Sequence, residues 1–317
     1  MIKKEYIYFF IIAPTISNKR VSIKNKYRIL AREFKIQNKK SLIKYSYFPI
    51  NLILRKNNKL FIRESVSLYP FLIILSIFKI KYVLEINGNP VFDSIRIKFL
   101  RNIFFTIRKN IVLKNKKCTI YCYSPDEAKF FQTERVVLGV NCLDRKARKV
   151  KLPRNKNILM LIGNNHKWHG INKINLLAEY LKDYNFYIYG INKLDTSLKN
   201  VTFYPYTKLE KIIKKRDYGY ALGSLDYSLK YGSIKSNSTL KGVLYHFLDL
   251  PFMQNINEYG SSSKFFLNIG KINNLNKKKL NKIKKFLNYW EKKNLNYKEL
   301  KKFAPKKTIH KILTIFE

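Results

Sequence analysis

Short apolar runs alternate along the chain with longer stretches in which apolar residues recur every three or four positions. This is the pattern of strands and helices taking turns in an open α/β sheet. In the first half the runs Tyr6 to Ile12, Lys59 to Arg63, Tyr82 to Glu85 and Cys118 to Tyr123 read as strands. Ile23 to Phe34, Leu68 to Phe78 and Val91 to Val112 carry helical spacing. Ser124-Pro125-Asp126-Glu127 marks a helix start, with a serine cap, proline at the first position and acids in the first turn.

The stretch from Asp144 to Asn157, DRKARKVKLPRNKN, is basic, poor in apolar residues and contains a proline, which predicts an interdomain linker lying in solvent. The α/β pattern then starts again. Ile158 to Ile162, Phe186 to Tyr189 and Val201 to Phe203 read as strands, Tyr220 to Gly223 as the end of another, and Phe252 as the start of one more strand or turn, with helices over Ile171 to Leu181 and Leu240 to Leu248. In the Lys-rich tail, Leu280, Ile283, Phe286, Leu287 and Trp290 are spaced for one face of an amphipathic helix whose lysines face water or anionic lipid. The expected architecture is α/β, with two Rossmann-like doubly wound domains. They are a first domain over 1–143, a linker over 144–157, and a second domain over 158–317 that includes C-terminal helices.

Composition narrows the function classes. The 317 residues are 46% apolar and 15% aromatic, enough to build cores, so disorder of the whole chain is excluded. With 64 Lys and Arg against 20 Asp and Glu the formal charge is +44, which predicts attraction to polyanions. Only 13 of those basic residues are Arg and 51 are Lys, dispersed along the chain. A nucleic-acid surface draws more on arginine forks, so nucleic acid is the competing reading and not the expected partner. Cys118, Cys122 and Cys142 are an odd set without a CxxC pair, which points to structural thiols in a reducing compartment rather than to a zinc site or a disulfide framework. The apolar runs Ile7 to Ile12 and Leu68 to Phe78 are shorter than a bilayer span, and the Lys3-Lys4 start reads as leading into a first buried strand rather than a signal peptide.

Ligands of doubly wound sheets bind beyond the carboxyl ends of the strands. The loop after Ile162 reads GNNHKWHG, from Gly163 to Gly170. It sets glycines where the backbone can turn or approach a ligand, with His166, Lys167 and His169 between them. The helix after this loop would aim its free N–H groups at the same place, an arrangement suited to a diphosphate.

The order of the segments along the second half carries a resemblance. KWHG is succeeded by NFYIYG, then by DYGYALGSL, then by SNSTLKGVLYHFLDLPF. This series resembles the nucleotide-sugar-binding half of bacterial surface-polysaccharide glycosyltransferases of the GT-B class, group 1-like. The matching residues are Trp168, His169 and Gly170; Gly190; Gly223, Ser224 and Leu225; Ser238, Leu240 and Lys241; and Pro251. VVLGVN, Val136 to Asn141, is similar to the family's approach to the linker, and VLEINGNP, Val83 to Pro90, to a segment of the acceptor-side domain.

The resemblance implies two domains facing a cleft and transfer of a sugar from a nucleotide diphosphate sugar to a lipid-linked or surface-glycan acceptor, with retention of configuration. It implies a donor site built from Gly163, Lys167, Trp168, Gly170, Gly190, Gly223, Ser224, Leu225, Ser238, Leu240 and Lys241. Lys241 and Lys167 would face the phosphates, with His169 as a second donor and catalytic group. Glu85, an acid at a strand end, is the expected catalytic base beside the acceptor. The sequence holds no D-x-D motif, so neither a metal nor a separate cofactor is expected. The implied setting is cytoplasmic, peripheral on the inner face of the cell membrane, against anionic lipid.

Two positions depart from the family. Leu244 stands where many relatives carry a ribose-binding Glu, and Asp249 where a Gly usually precedes the proline by two residues. His246 and Asp249 are the side chains left to replace the missing carboxylate. The departures keep a noncatalytic, transferase-like partner subunit as an alternative.

Overall fold

A computed structural model describes residues 6–10, 21–36, 40–44, 59–65, 68–86, 98–131, 135–163, 167–192, 198–226, 235–261, 264–272 and 275–316. The chain divides into two compact units, Met1–Asp144 with Phe303–Glu317, and Arg145–Lys302.

Unit 1 is built on six strands: β1 (Tyr6–Phe10), β2 (Lys40–Lys44), β3 (Lys59–Arg63), β4 (Tyr82–Ile86), β5 (Cys118–Cys122) and β6 (Val136–Leu138). They pair in parallel in the order β2-β1-β3-β4-β5-β6. Helices α1 (Val21–Ile36), α2 (Tyr69–Ile77), α3 (Lys98–Ile107) and α4 (Pro125–Phe131) connect them. The α3 helix runs on into a π-helical turn, Arg108–Val112. At α4 the Ser124 hydroxyl accepts from the backbone N–H groups of Asp126 and Glu127, the cap expected from the sequence.

Because successive strand residues point to opposite faces, the strands of unit 1 feed two cores. Leu60, Ile62, Leu84, Ile120 and Cys122 pack with Phe71, Leu72 and Leu75 of α2. Phe61, Val83, Tyr121 and Tyr123 pack on the other face with Tyr27 and Leu30 of α1 and with Ile309, Ile312, Leu313 and Phe316. Those last four belong to α9 (Pro305–Phe316), the final helix. The expected second domain therefore ends early: residues 303–317 return to unit 1 because this apolar stripe completes its second core, each full burial contributing roughly 1.5–3 kcal/mol.

Unit 2 contains a second six-stranded parallel sheet, with β7 (Asn157–Leu161), β8 (Asn185–Tyr189), β9 (Val201–Tyr204), β10 (Tyr220–Leu222), β12 (Phe252–Gln254) and β14 (Phe266–Asn268) in the order β14-β12-β10-β7-β8-β9. A small parallel pair, β11 (Ser236–Asn237) with β13 (Asn257–Glu258), lies outside it. Helices α5 (Ile174–Tyr180), α6 (Leu209–Lys215), α7 (Leu240–Phe247) and α8 (Lys277–Glu291) complete the unit. The amphipathic stripe of the tail helix buries Ile283, Leu287 and Trp290 and leaves Lys277, Lys278, Lys282, Lys284 and Lys285 exposed.

The expected linker carries mostly exposed side chains, as a solvent-lying segment should, but from Arg145 onward it is a strap of unit 2, anchored there by two buried residues, Val150 and Arg154. Arg154 is buried, and its guanidinium donates to Trp290 O at 2.9 Å, Gly219 O at 3.2 Å and Asp249 Oδ1 at 2.8 Å. Arg148 N–H donates to Phe247 O at 2.8 Å. A basic run looks solvated in sequence, but one of its arginines finds a ready-made nest of carbonyls and a carboxylate. Among the described residues no helix is long and apolar enough to cross a membrane.

Candidate functional site

In unit 2 the chain leaves β7 on one side and β10 on the other of the point where strand order reverses, where open α/β sheets place their ligands. Two loops meet there, the one after β7 ending in Lys167-Trp168-His169-Gly170, and the Gly223-Ser224-Leu225 turn after β10.

Glycines set the approach of these loops. Gly190, at the end of β8, has φ +109°, and a Cβ there would lie 1.8 Å from Ile162 O. Gly170 has φ +65°, and a Cβ would meet Leu225 Cβ at 2.8 Å. The two loops are also joined by backbone, Leu225 N–H donating to His169 O at 3.1 Å and Asp226 N–H to Trp168 O at 3.2 Å. Lys173 pairs with Asp226 at 2.7 Å across the same junction.

Helix α7 brings the third component. Thr239 is its cap, the Thr239 hydroxyl accepting from Gly242 N–H at 2.8 Å. Lys241 therefore sits in the first turn, and its Nζ lies 3.0 Å from His169 Nδ1. Ser224 Oγ is 3.0 Å from the same nitrogen. An ammonium donates and cannot accept, so His169 Nδ1 is assigned as the lone-pair atom and the ring proton to Nε2. Trp168 packs on the His169 ring, centroids 3.7 Å apart, and its own ring lies 5.5 Å from Lys241 Nζ. Lys241 and Trp168 are half-buried, whereas His169 and Ser224 are buried. The assembly brings a cation, an aromatic face and the amide end of a helix together over a buried pair of imidazole and hydroxyl.

Of the residues expected from sequence, Trp168, His169, Gly170, Ser224, Leu225 and Lys241 thus converge. Gly223 lies behind them with its α-carbon against Gln254, and Ser238 is buried just before the cap, with Leu240 half-buried after it. Lys167 is exposed. Gly163 is exposed too, and nothing lies within 4 Å of a Cβ built on it. His166 falls outside the described residues.

Glu85 is corrected. Rather than standing at a presented strand end, it is enclosed in unit 1 with 0% side-chain exposure. Lys26 Nζ donates to its Oε1 at 2.6 Å, Tyr123 OH donates to the same oxygen, and Arg63 Nη1 lies 3.3 Å from Oε2. Burial lowers the Lys26 pKa and raises that of Tyr123. A strand-end acid is drawn inward here because α1 delivers a lysine to neutralise it.

Neither candidate for the missing ribose carboxylate is available. His246 is buried, its Nδ1 donating to Gly242 O at 2.6 Å and its Nε2 lying 2.8 Å from Ser261 Oγ; burial pushes its pKa down to about 3. Asp249 is the buried partner of Arg154 and accepts from Leu295 N–H at 2.9 Å. Its φ of +53° explains the departure from glycine, since Asp tolerates the left-handed region and its carboxylate is used elsewhere.

Two residues escaped sequence reasoning. Gln254 and Glu258 are buried beneath the site, Glu258 Oε1 accepting from Thr239 N–H at 2.6 Å and Oε2 facing Thr239 Oγ1 at 2.7 Å. Burial pushes the Glu258 pKa up to about 8. Phe252 to Glu258 reads FMQNINE, so Gln254 and Glu258 stand among Asn255 and Asn257 and no sequence pattern singles them out. Among the described residues no group of three or more His, Cys, Asp or Glu is placed to hold a metal ion.

Solved structures share this fold. TarM of S. aureus, in a complex containing UDP, aligns with a TM-score of 0.54 and 12% identity over 83% of this chain and 56% of its own. HepE of Anabaena, in complex with UDP, aligns at 0.55 and 8% over 98% and 97%. The pneumococcal O-GlcNAc transferase GtfA, in complex with UDP and GlcNAc, aligns at 0.50 and 12% over 84% and 59%. The chain spans a little over half the length of TarM and of GtfA. No protein-family model matches the sequence, and no curated protein is significantly similar to it. The fold is that of the GT-B glycosyltransferases.

Proposed function

We propose that the protein is a glycosyltransferase that moves a sugar from a nucleotide diphosphate sugar to a lipid-linked or surface-glycan acceptor. The observation that carries this reading is the meeting of Lys241, His169, Ser224 and Trp168 at the first turn of α7, at the strand-order reversal of unit 2. TarM, HepE and GtfA were each solved with UDP, which supports a nucleotide donor for this chain as well.

In this reading the donor diphosphate lies at the amide end of α7. As the bond from the anomeric carbon to the diphosphate breaks, its electron pair stays on the leaving oxygen. The Lys241 ammonium and the α7 dipole oppose that growing negative charge. His169 is neutral and holds Lys241 through Nδ1, which makes it a positioning residue rather than a phosphate donor. Glu85, sealed against Lys26, has no part in the proposed chemistry. Retention of configuration and independence of metal remain proposals drawn from the family resemblance. So does a place at the cytoplasmic face of a membrane, with the exposed lysines of α8 against anionic lipid.

Calorimetry against UDP-, GDP-, dTDP- and CMP-linked sugars tests the reading. One nucleotide class should bind, and its sugar should be released or transferred when candidate acceptors are supplied. Binding without turnover would favour the noncatalytic partner, for which Leu244 in place of the ribose carboxylate is the motivating observation. Binding to none of them would reject a donor site.

A further inference from the structure

Glu258 lies behind the site, on β13, whose pairing with β11 carries it alongside the residues that lead into α7. Tyr259 N–H donates to Asn237 O at 3.0 Å and Asn257 N–H to Lys235 O at 2.9 Å, so the backbone sets this approach before any side chain is considered. The carboxyl then closes on the helix start: Oε1 takes the Thr239 N–H and Oε2 faces the Thr239 hydroxyl. The α7 turn is fitted to it, because a Cβ on Gly242 would lie 2.4 Å from Glu258 Cδ.

A second contact runs from the same carboxyl to the opposite loop. Gln254 Nε2 donates to Glu258 Oε2 at 3.0 Å and to Ile256 O at 3.1 Å. The Gln254 side chain fills the space against Gly223, whose Cβ position lies 2.6 Å from Gln254 Oε1. Asn255 N–H holds Ser224 O at 3.2 Å. One buried carboxyl therefore ties the first turn of α7, which carries Lys241, to the turn that carries Ser224. Among the described residues no Lys or Arg forms an ion pair with it, so its surroundings are hydrogen-bond donors and backbone rather than a neutralising cation.

We propose that Glu258 is a positioning residue for the nucleotide diphosphate site, fixing the first turn of α7 and through it the place of Lys241. This rests on the donor-site reading above. Glu258 accepts three hydrogen bonds, from the Thr239 N–H, the Thr239 hydroxyl and the Gln254 amide, while burial raises its pKa. An amide keeps an acceptor oxygen at this place and a methyl group keeps none.

The experiment measures binding of UDP, GDP and dTDP to the full chain by calorimetry, the tightest of the three serving as the probe for the wild type, Glu258→Gln, Glu258→Ala, Lys241→Ala and the double variant Glu258→Ala/Lys241→Ala. Glu258→Ala should bind at least about tenfold more weakly than wild type, the loss expected when a lysine that makes charge-assisted contacts is displaced, and Glu258→Gln, which keeps one acceptor oxygen, should lose less. In the Lys241→Ala background the Glu258→Ala change should have little further effect, the coupling that separates positioning of Lys241 from a general loss of structure. If Glu258→Ala does not fold, Thr239→Val removes the hydroxyl contact to Oε2 while the Thr239 N–H contact to Oε1 stays, and should give the same pattern at smaller size. A Glu258→Ala or Thr239→Val protein that binds as wild type while Lys241→Ala is weakened would overturn this inference and leave the donor site standing. A wild type that binds none of the three diphosphates would overturn both.

Discussion

The Lys241 ammonium lies 3.0 Å from Nδ1 of His169, 72 residues earlier in the chain. A lysine in the first turn of a helix would ordinarily extend into water. Here a buried imidazole turns it across the loop after β7, and Trp168 lies alongside. The pairing gives a cation a fixed place.

Lys241→Ala should therefore weaken nucleotide diphosphate binding by about 1.5–3 kcal/mol, roughly tenfold to a hundredfold, as for a hydrogen bond to a charged group. The fold should change little, because Lys241 is only half-buried. Calorimetry and thermal melting of the same preparation check both halves. Unchanged affinity would remove Lys241 from the phosphate role.

The glycines separate packing from ligand approach. Gly190→Ala should prevent correct folding or cost at least about 3 kcal/mol, since the new methyl would overlap Ile162 O in a left-handed backbone. Gly163→Ala, with open space around it, should stay within about 0.5 kcal/mol of wild type in urea unfolding. Equal stability of the two variants would contradict the geometry.

The sequence pattern made both sheets legible because their strands are short apolar runs between turn signals. β3 spans the expected Lys59 to Arg63, and β7, β8 and β10 fall within a residue or so of their expected limits. β2, β6, β11, β13 and β14 were not legible as strands; β11 and β13 hold two residues each and exist only through their pairing, and β2, KSLIK, has lysines at both ends. The return of α9 to unit 1 could not be read from periodicity, which shows that a helix has an apolar face but not which core it covers. At the site, the residues carried by ordered motifs converged. Glu85 did not, because its fate depends on Lys26 from α1, 59 positions away. Glu258 and Gln254 stayed hidden for the same reason: their function is a set of long-range hydrogen bonds.

The exposed lysines of α8 offer a test of the proposed membrane setting. Lys282→Gln and Lys285→Gln should each lower partitioning onto anionic vesicles by about 1 kcal/mol, roughly fivefold, at low ionic strength. Raising salt should weaken wild-type binding steeply. Sedimentation with vesicles of a phosphatidylserine and phosphatidylcholine mixture reads both, and a wild type that stays in the supernatant at low salt would reject this surface.

Arg154→Met should destabilise unit 2 by about 3–5 kcal/mol, because it strands the buried Asp249 carboxylate without its guanidinium. Asp249→Asn should cost less, since Asn also tolerates positive φ and can still accept from Leu295 N–H. Urea unfolding of the two variants gives the order, and a reversal would mean that the carboxylate, not the guanidinium, dominates the strap.

Two buried groups, Glu258 and His246, contribute to the pH dependence of stability with opposite signs. Glu258 rises from 4.5 to about 8 on folding, so between these values the folded chain holds a proton that the unfolded chain has lost. Its contribution is complete below pH 4.5 and is lost as pH climbs toward 8. His246 falls from 6.5 to about 3, so its contribution is complete above pH 6.5 and is lost as pH drops toward 3. Across pH 4.5–6.5 these two slopes oppose each other; from 6.5 to 8 the His246 slope is gone and the Glu258 slope lowers stability. Glu258→Gln should abolish that decline while leaving the loss at acid pH in place, because His246 still has to charge on unfolding. Urea midpoints at pH 5, 6.5, 7.5 and 8.5 for wild type and Glu258→Gln decide it, and an identical alkaline slope in both proteins would show that Glu258 does not titrate in this range.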